Sequence, residues 1–196
     1  MSIKLFPPHY LFPTKILMSE DSDYNSYKEN LIEWMRLYSL DNETVTKSNN
    51  GGYQSPDNFY LERSFSPYMN RISELIVSTI NYYIDDEISQ LHENQLSVSN
   101  MWFNINYKNS YNVSHTHPGC VLAGVFWVQC PQEVSPITFN CCDDFARATY
   151  EKYTSHSFDP KEGQMVLFPA HVPHRVDINH SETPRISISF NLVDTL

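Results

Sequence analysis

The chain has 196 residues, 41% of them hydrophobic and 14% aromatic, and a formal charge of −10. It is long enough to bury a core without staples and too apolar to read as disordered. It is too acidic for a non-specific nucleic-acid or anionic-membrane binder, so neither kind of partner is expected. No stretch approaches the roughly 20 apolar residues of a membrane-spanning helix, and residues 1–15 lack an apolar run of signal-peptide length. The four cysteines, Cys120, Cys130, Cys141 and Cys142, include no C-x-x-C pair, which favours free thiols over structural zinc. The expected location is therefore the cytoplasm.

In chain order, residues 1–18 read as an extended edge strand interrupted by prolines. Ser22 or Asp23 can cap a helix over 23–39, whose apolar stripe is Tyr27, Leu31, Trp34, Met35 and Tyr38. The Asn- and Gly-rich stretch from Lys47 to Ser55 reads as a loop, either a plain turn or a substrate-side loop. Ile72, Leu75, Ile76, Ile80 and Tyr83 recur at helical spacing over about 67–90, with Asp85, Asp86 and Glu87 on a solvated end.

From residue 100 the period changes to two. Residues 102–107 alternate, with Asn104 and Asn106 on one face. Val121 to Val128 is almost wholly apolar, as in a strand covered on both sides. Residues 137–139, 164–168, 172–178 and 185–192 complete about six strands. The expected fold is mainly β with N-terminal helices (α+β), the helices packed on a sandwich or barrel. It forms one domain over 1–196, with 1–99 as helical and edge-strand support and 100–196 as the β core.

His115 and His117, two apart on a strand, point to one side of a sheet. His174, from a distant strand entered through Phe168-Pro169, can complete one face of a metal's coordination sphere. Arg185 stands eleven residues further on, sharing a strand face with Ser187 and Ser189. This order of close ligand pair, distant histidine and basic residue suggests a mononuclear non-haem iron enzyme. Alternation alone leaves open whether the Arg185 face lines an inner pocket or meets solvent. Trp127 and Tyr107 are candidates for lining a co-substrate pocket. His171 can stand in for His174, while His9, His92, His156 and His180 read as surface residues.

Four segments resemble a family of 2-oxoglutarate/Fe(II)-dependent oxygenases found in bacteria and phages. They are Ser48 to Ser55, His115-Thr116-His117-Pro118-Gly119, Gly163 to Pro169, and Arg185 to Asn191. The resemblance implies a double-stranded β-helix (jelly roll), distantly similar to prolyl 4-hydroxylases. It also implies Fe(II) held by His115, His117 and His174, and 2-oxoglutarate gripped by Arg185 with Ser187. The implied partners are 2-oxoglutarate, dioxygen and a primary substrate the sequence does not name, and a homodimer is compatible. If the chain is phage-encoded, the location is the host cytoplasm.

One departure bears on the chemistry. The wider superfamily places Asp or Glu where this chain has His117. Three neutral imidazoles leave the full charge of the divalent ion, which a dianionic oxo-acid can neutralise. Three-histidine iron also occurs in thiol dioxygenases, which use no 2-oxoglutarate. An acid from elsewhere, Asp143 or Asp144, is a further alternative for the third ligand. A non-enzymatic binding protein on the same scaffold is the remaining one.

Overall fold

The computed structural model describes residues 14–84, 96–142 and 154–195. Asp85, Asp86, Glu87, His9, His92, Asp143 and Asp144 lie outside the described residues, as does most of the N-terminal proline-rich segment. The elements in order are β1 (Leu17–Glu20), α1 (Lys28–Asp41), β2 (Asn49–Asn50), β3 (Tyr53–Gln54), α2 (Ser66–Ile84), β4 (Leu96–Asn106) and β5 (Tyr111–His115). They continue with β6 (Leu122–Gln129), β7 (Ile137–Asn140), β8 (Ser155–Phe158), β9 (Gln164–Pro169), β10 (His174–Val176) and β11 (Arg185–Asp194).

The strands form two antiparallel sheets. One has six strands in the order β1-β9-β6-β11-β4-β3, the other five in the order β2-β5-β10-β7-β8. Mainly β with helices on one sheet is the architecture expected of a jelly roll. The segment read as a loop between Lys47 and Ser55 is instead two short strands. β2 pairs with β5 in the smaller sheet and β3 with β4 in the larger, so this tight connection bridges the two sheets. Strand β8 gave no apolar signal because its histidine and two serines are exposed.

Period two explains how the larger sheet carries two different layers. Its outer face presents Phe103, Ile105, Phe126, Val128, Ile186, Ile188 and Phe190 to the helices. They join Leu31 and Met35 of α1 and Ile72, Ile76 and Ile80 of α2 in one core. A second cluster, including Ala123, Trp127, Ile137, Phe139, Val166 and Phe168, fills part of the space between the sheets. Gly124 is required in β6 because a Cβ there would lie 2.3 Å from the Phe190 ring.

Helix α1 begins later than the capping signal suggested. A 3-10 turn over Tyr24–Ser26 precedes it, and neither helical start carries a side-chain cap. Asp21 takes the local hydrogen bonds instead, accepting from the Asp23 backbone N–H at 2.9 Å and the Tyr27 hydroxyl at 2.6 Å. The Tyr24 hydroxyl donates to the Val128 carbonyl at 2.5 Å, fixing the entry to α1 against β6.

Candidate active site

His115 ends β5 and His174 opens β10, and the two are direct cross-strand partners. His117 lies beyond the strand, so its approach does not come from strand alternation. Its backbone N–H donates to the Ala170 carbonyl at 2.9 Å, and Gly119 then takes a positive φ of 82° to turn the chain away. Strand β10 starts at His174 and not at Val172, because Val172 belongs to a turn closed by its N–H on the Pro169 carbonyl.

The three imidazoles converge. Ring centroids stand 4.4 Å apart for His115 and His174, 5.0 Å for His115 and His117, and 5.1 Å for His117 and His174. One nitrogen from each lies within 4.8 Å of the others. His115 Nδ1 is 2.8 Å from the Val113 carbonyl and His174 Nδ1 is 3.0 Å from the Val172 carbonyl. A carbonyl can only accept, so Nδ1–H donates in both and each Nε2 keeps its lone pair for an ion.

His117 Nε2 and His174 Nε2 are 3.3 Å apart. Two nitrogens at right angles around a metal, each at about 2.1 Å, would be separated by roughly 3 Å, so this spacing suits adjacent ligands. Burial, and secondarily the neighbouring imidazoles, lowers the His174 pKa to about 3 and the His117 pKa to about 4. Burial lowers that of His115 as well. Three neutral bases facing each other at neutral pH form a donor set that a cation satisfies and a proton does not.

A cavity between the sheets reaches inward from the triad, lined by Trp127, Asn104, Asn112, Ser187, Ser189 and Arg185 among others. Arg185, Ser187 and Ser189 therefore face inward, and Ile186, Ile188 and Phe190 pack under the helices. Arg185 is only 3% exposed. Its Nη2 reaches Asn112 Oδ1 at 3.4 Å, and its Nη1 has no partner among the described residues. Among the described residues no carboxylate forms an ion pair with it, and burial lowers its pKa to about 10. A buried guanidinium without an anionic partner is costly.

An amide network holds this end of the cavity. Asn49 Nδ2 donates to Asn104 Oδ1 (3.0 Å) and Asn106 Oδ1 (3.1 Å), and Asn106 Nδ2 donates to Asn112 Oδ1 (3.1 Å). Asn112 had no sequence signal, because a register irregularity between β5 and β10 places it on the same cavity as His115 despite their odd separation. Trp102 and Asn104 share the phase of Asn106 and could have been found from it.

Trp127 lines the cavity as expected, whereas Tyr107 does not. Tyr107 is 46% exposed and has the parity of Phe103 and Ile105, which face the helix layer. His171, His156 and His180 are exposed and take no part in the triad.

Residues 100–191, just under half of the chain, match the family model described as "Putative 2OG-Fe(II) oxygenase". The match spans the β core that carries the three histidines and Arg185. Solved structures share its fold at low identity. A prolyl-4-hydroxylase of Pseudomonas putida is similar at a TM-score of 0.59 and 14% identity, covering 90% of this chain and 91% of that one. HygX from Streptomyces hygroscopicus, with nickel and 2-oxoglutarate bound, gives 0.61 and 14%, covering 93% and 84%. A viral collagen prolyl hydroxylase from Paramecium Bursaria Chlorella virus-1, as a 2OG complex, gives 0.56 and 12%, covering 90% and 95%. A search of curated proteins gives no match. Among the described residues, no helix of this chain is long and apolar enough to cross a membrane.

Proposed function

We propose that His115, His117 and His174 hold the Fe(II) of this oxygenase and that Arg185, with Ser187, binds the far carboxylate of 2-oxoglutarate. The observation that carries this reading is the pairing of two unmet needs in one cavity. Three neutral imidazoles converge at its mouth, and a guanidinium with an unpaired Nη1 is buried at its inner end. When bound, Fe(II) and 2-oxoglutarate supply oxygen activation, with the oxo-acid leaving as succinate and CO₂.

The protein's part is positioning. The carbonyls of Val113 and Val172 keep His115 and His174 in the tautomer that leaves Nε2 free. Asn112 steadies one side of the Arg185 fork, leaving Nη1 for a charge-assisted bond to the carboxylate. Trp127, Phe168 and Ile137 surround the route between metal and arginine, restricting water there. His117 in place of an acid leaves the ion's charge undiminished, and a dianionic co-substrate offsets it. The whole chain is read as one domain, in which 1–99 braces the β core.

The test is metal content and product together. Protein purified without an affinity tag should bind one Fe(II) or Mn(II), and His115→Ala or His174→Ala should abolish this while the fold persists. Succinate released from 2-oxoglutarate by the iron-loaded protein supports the reading. Its absence from a protein that binds iron would instead favour a three-histidine dioxygenase in which Arg185 binds the substrate's own carboxylate.

A further inference from the structure

A second recess, with a volume of about 320 Å³, opens on the outer side of the triad. Trp102, His115 and His117 border both this recess and the inner cavity, so a molecule seated in it would lie against the metal ligands. Its size is at the low end for small-ligand sites and suits a group of one ring rather than a folded partner.

Two of its lining side chains are almost wholly buried and incompletely bonded. Gln54 is 2% exposed and Asn191 5%, and neither Gln54 Oε1 nor Asn191 Oδ1 has a partner among the described residues. Asn191 spends its Nδ2 on Asn100 Oδ1 at 2.8 Å. Buried polar atoms without partners are rare, and two that belong to side chains lining one recess favour a ligand that supplies hydrogen-bond donors once the amides turn toward it.

The wall offers no spare charge. Lys47, its one cation among the described residues, pairs with Asp57 at 3.1 Å, and that hydrogen bond holds the Asp57 carboxyl below its usual range. Behind the wall, a divalent ion on three neutral imidazoles and a dianionic oxo-acid sum to zero. The remaining positive charge, Arg185, lines the inner cavity and not this recess, and is engaged by the oxo-acid's far carboxylate. An anionic substrate would lose its hydration here without gaining a counter-charge. A peptide is a poor match too, because its N–H groups point alternately along the strand and bring few donors to one small patch. Hydroxyls both donate and accept, as do the amides and hydroxyls of Gln54, Asn100, Asn191, Ser48 and Thr116. Trp102 and Val113 give C–H groups an apolar surface.

We infer that this recess binds a neutral, hydroxyl-rich group of about one ring, a glycosyl or cyclic polyol moiety, through Gln54 and Asn191. The inference rests on the oxygenase reading above, with that group as the primary substrate. Saturation-transfer NMR tests it on the full chain loaded with diamagnetic Zn(II) and 2-oxoglutarate. The probes are methyl glucopyranosides, methyl galactopyranosides, N-acetylglucosamine and myo-inositol, set against glucose 6-phosphate, gluconate and a short proline-containing peptide. At least one neutral probe should show saturation transfer, at least fivefold above the anionic probes and the peptide. Gln54→Met should reduce it at least fivefold. The variant's Tm should equal or exceed that of the wild type, because the lost oxygen has no partner in the free protein. Silence from all neutral probes, preference for an anion or the peptide, or an unchanged signal in a folded Gln54→Met would overturn the inference. Calorimetry of metal and 2-oxoglutarate binding separates the two levels. If both bind and no glycoside or polyol does, the substrate class alone fails; if neither binds, the oxygenase reading fails with it.

Discussion

On the helix side of β11, Ile186, Ile188 and Phe190 are buried in an aromatic-rich core; on the cavity side of the same strand stand Arg185, Ser187, Ser189 and Asn191. The helix side is closed by ring packing and leaves one buried hydroxyl, that of Tyr53, without a partner among the described residues. Phe103 of the neighbouring strand is ringed by Trp34, Tyr38, Tyr53 and Phe59 at centroid distances of 5.0 to 6.4 Å. The cavity side leaves Arg185 Nη1, Asn191 Oδ1 and, from β3, Gln54 Oε1 without partners. One sheet therefore divides its work by face, stability outward and ligand-seeking polarity inward. Unmet valence on the inner face is a cost to the free protein that a bound ligand would repay.

Substitutions on the two faces should separate the two roles. Phe103→Ala, on the helix face, should lose about 3–5 kcal/mol of folding stability by chemical denaturation, the usual cost of truncating a fully buried aromatic. A loss below about 1 kcal/mol would break the division from that side. Arg185→Leu should do the reverse. Its stability should be equal or higher, because an unpaired buried charge is removed. Its 2-oxoglutarate affinity should fall by about 2–5 kcal/mol, read by anaerobic titration with Mn(II) in place of iron. Equal affinity in both proteins would remove Arg185 from the site.

At the metal, His117→Ala should weaken Mn(II) affinity by roughly tenfold or more, while His117→Asp retains it. An unchanged affinity in His117→Ala would mean that another group completes the triad. The smallest effect is the pH dependence of the metal-free protein. His174 and His117 have folded pKa values of about 3 and about 4, against about 6.5 in an unfolded chain. Below about pH 6.5 the unfolded state binds protons that the folded state refuses, so stability should fall as pH drops from there toward 4. His117→Gln should flatten the slope of Tm against pH across that window. An identical slope would show that the imidazole is not held neutral by its surroundings.

Much of this division was readable from residue order. The apolar stripe of α2 and the alternation in β4 and β11 specify which side chains share a face, and both arise from local periodicity. His115, His174 and Arg185 were recognisable because each lies in or at the end of a strand. The other parts depend on breaks in periodicity. Asn112 reaches the cavity through a register irregularity, and His117 reaches the triad through a backbone bond to Ala170. The strands β2 and β3 are two residues each, too short for any pattern, and they gain their identity only by pairing with opposite sheets. Tyr107 follows the last residue of β4 and is exposed, which its parity with Phe103 and Ile105 does not foretell. Gln54 gave no signal because its importance is an unpaired oxygen, a property of the fold alone.

Three histidines at the mouth and Arg185 inside are the two ends of one cavity. Anaerobic calorimetric titration of 2-oxoglutarate into tag-free protein, with and without one equivalent of Mn(II), tests that junction most directly. A single site is expected, with affinity at least roughly tenfold greater when the metal is present, because chelation adds to the Arg185 contact. The gain should vanish in His174→Ala. Binding that is equally tight without metal, or absent from the metal-loaded wild type, would contradict it.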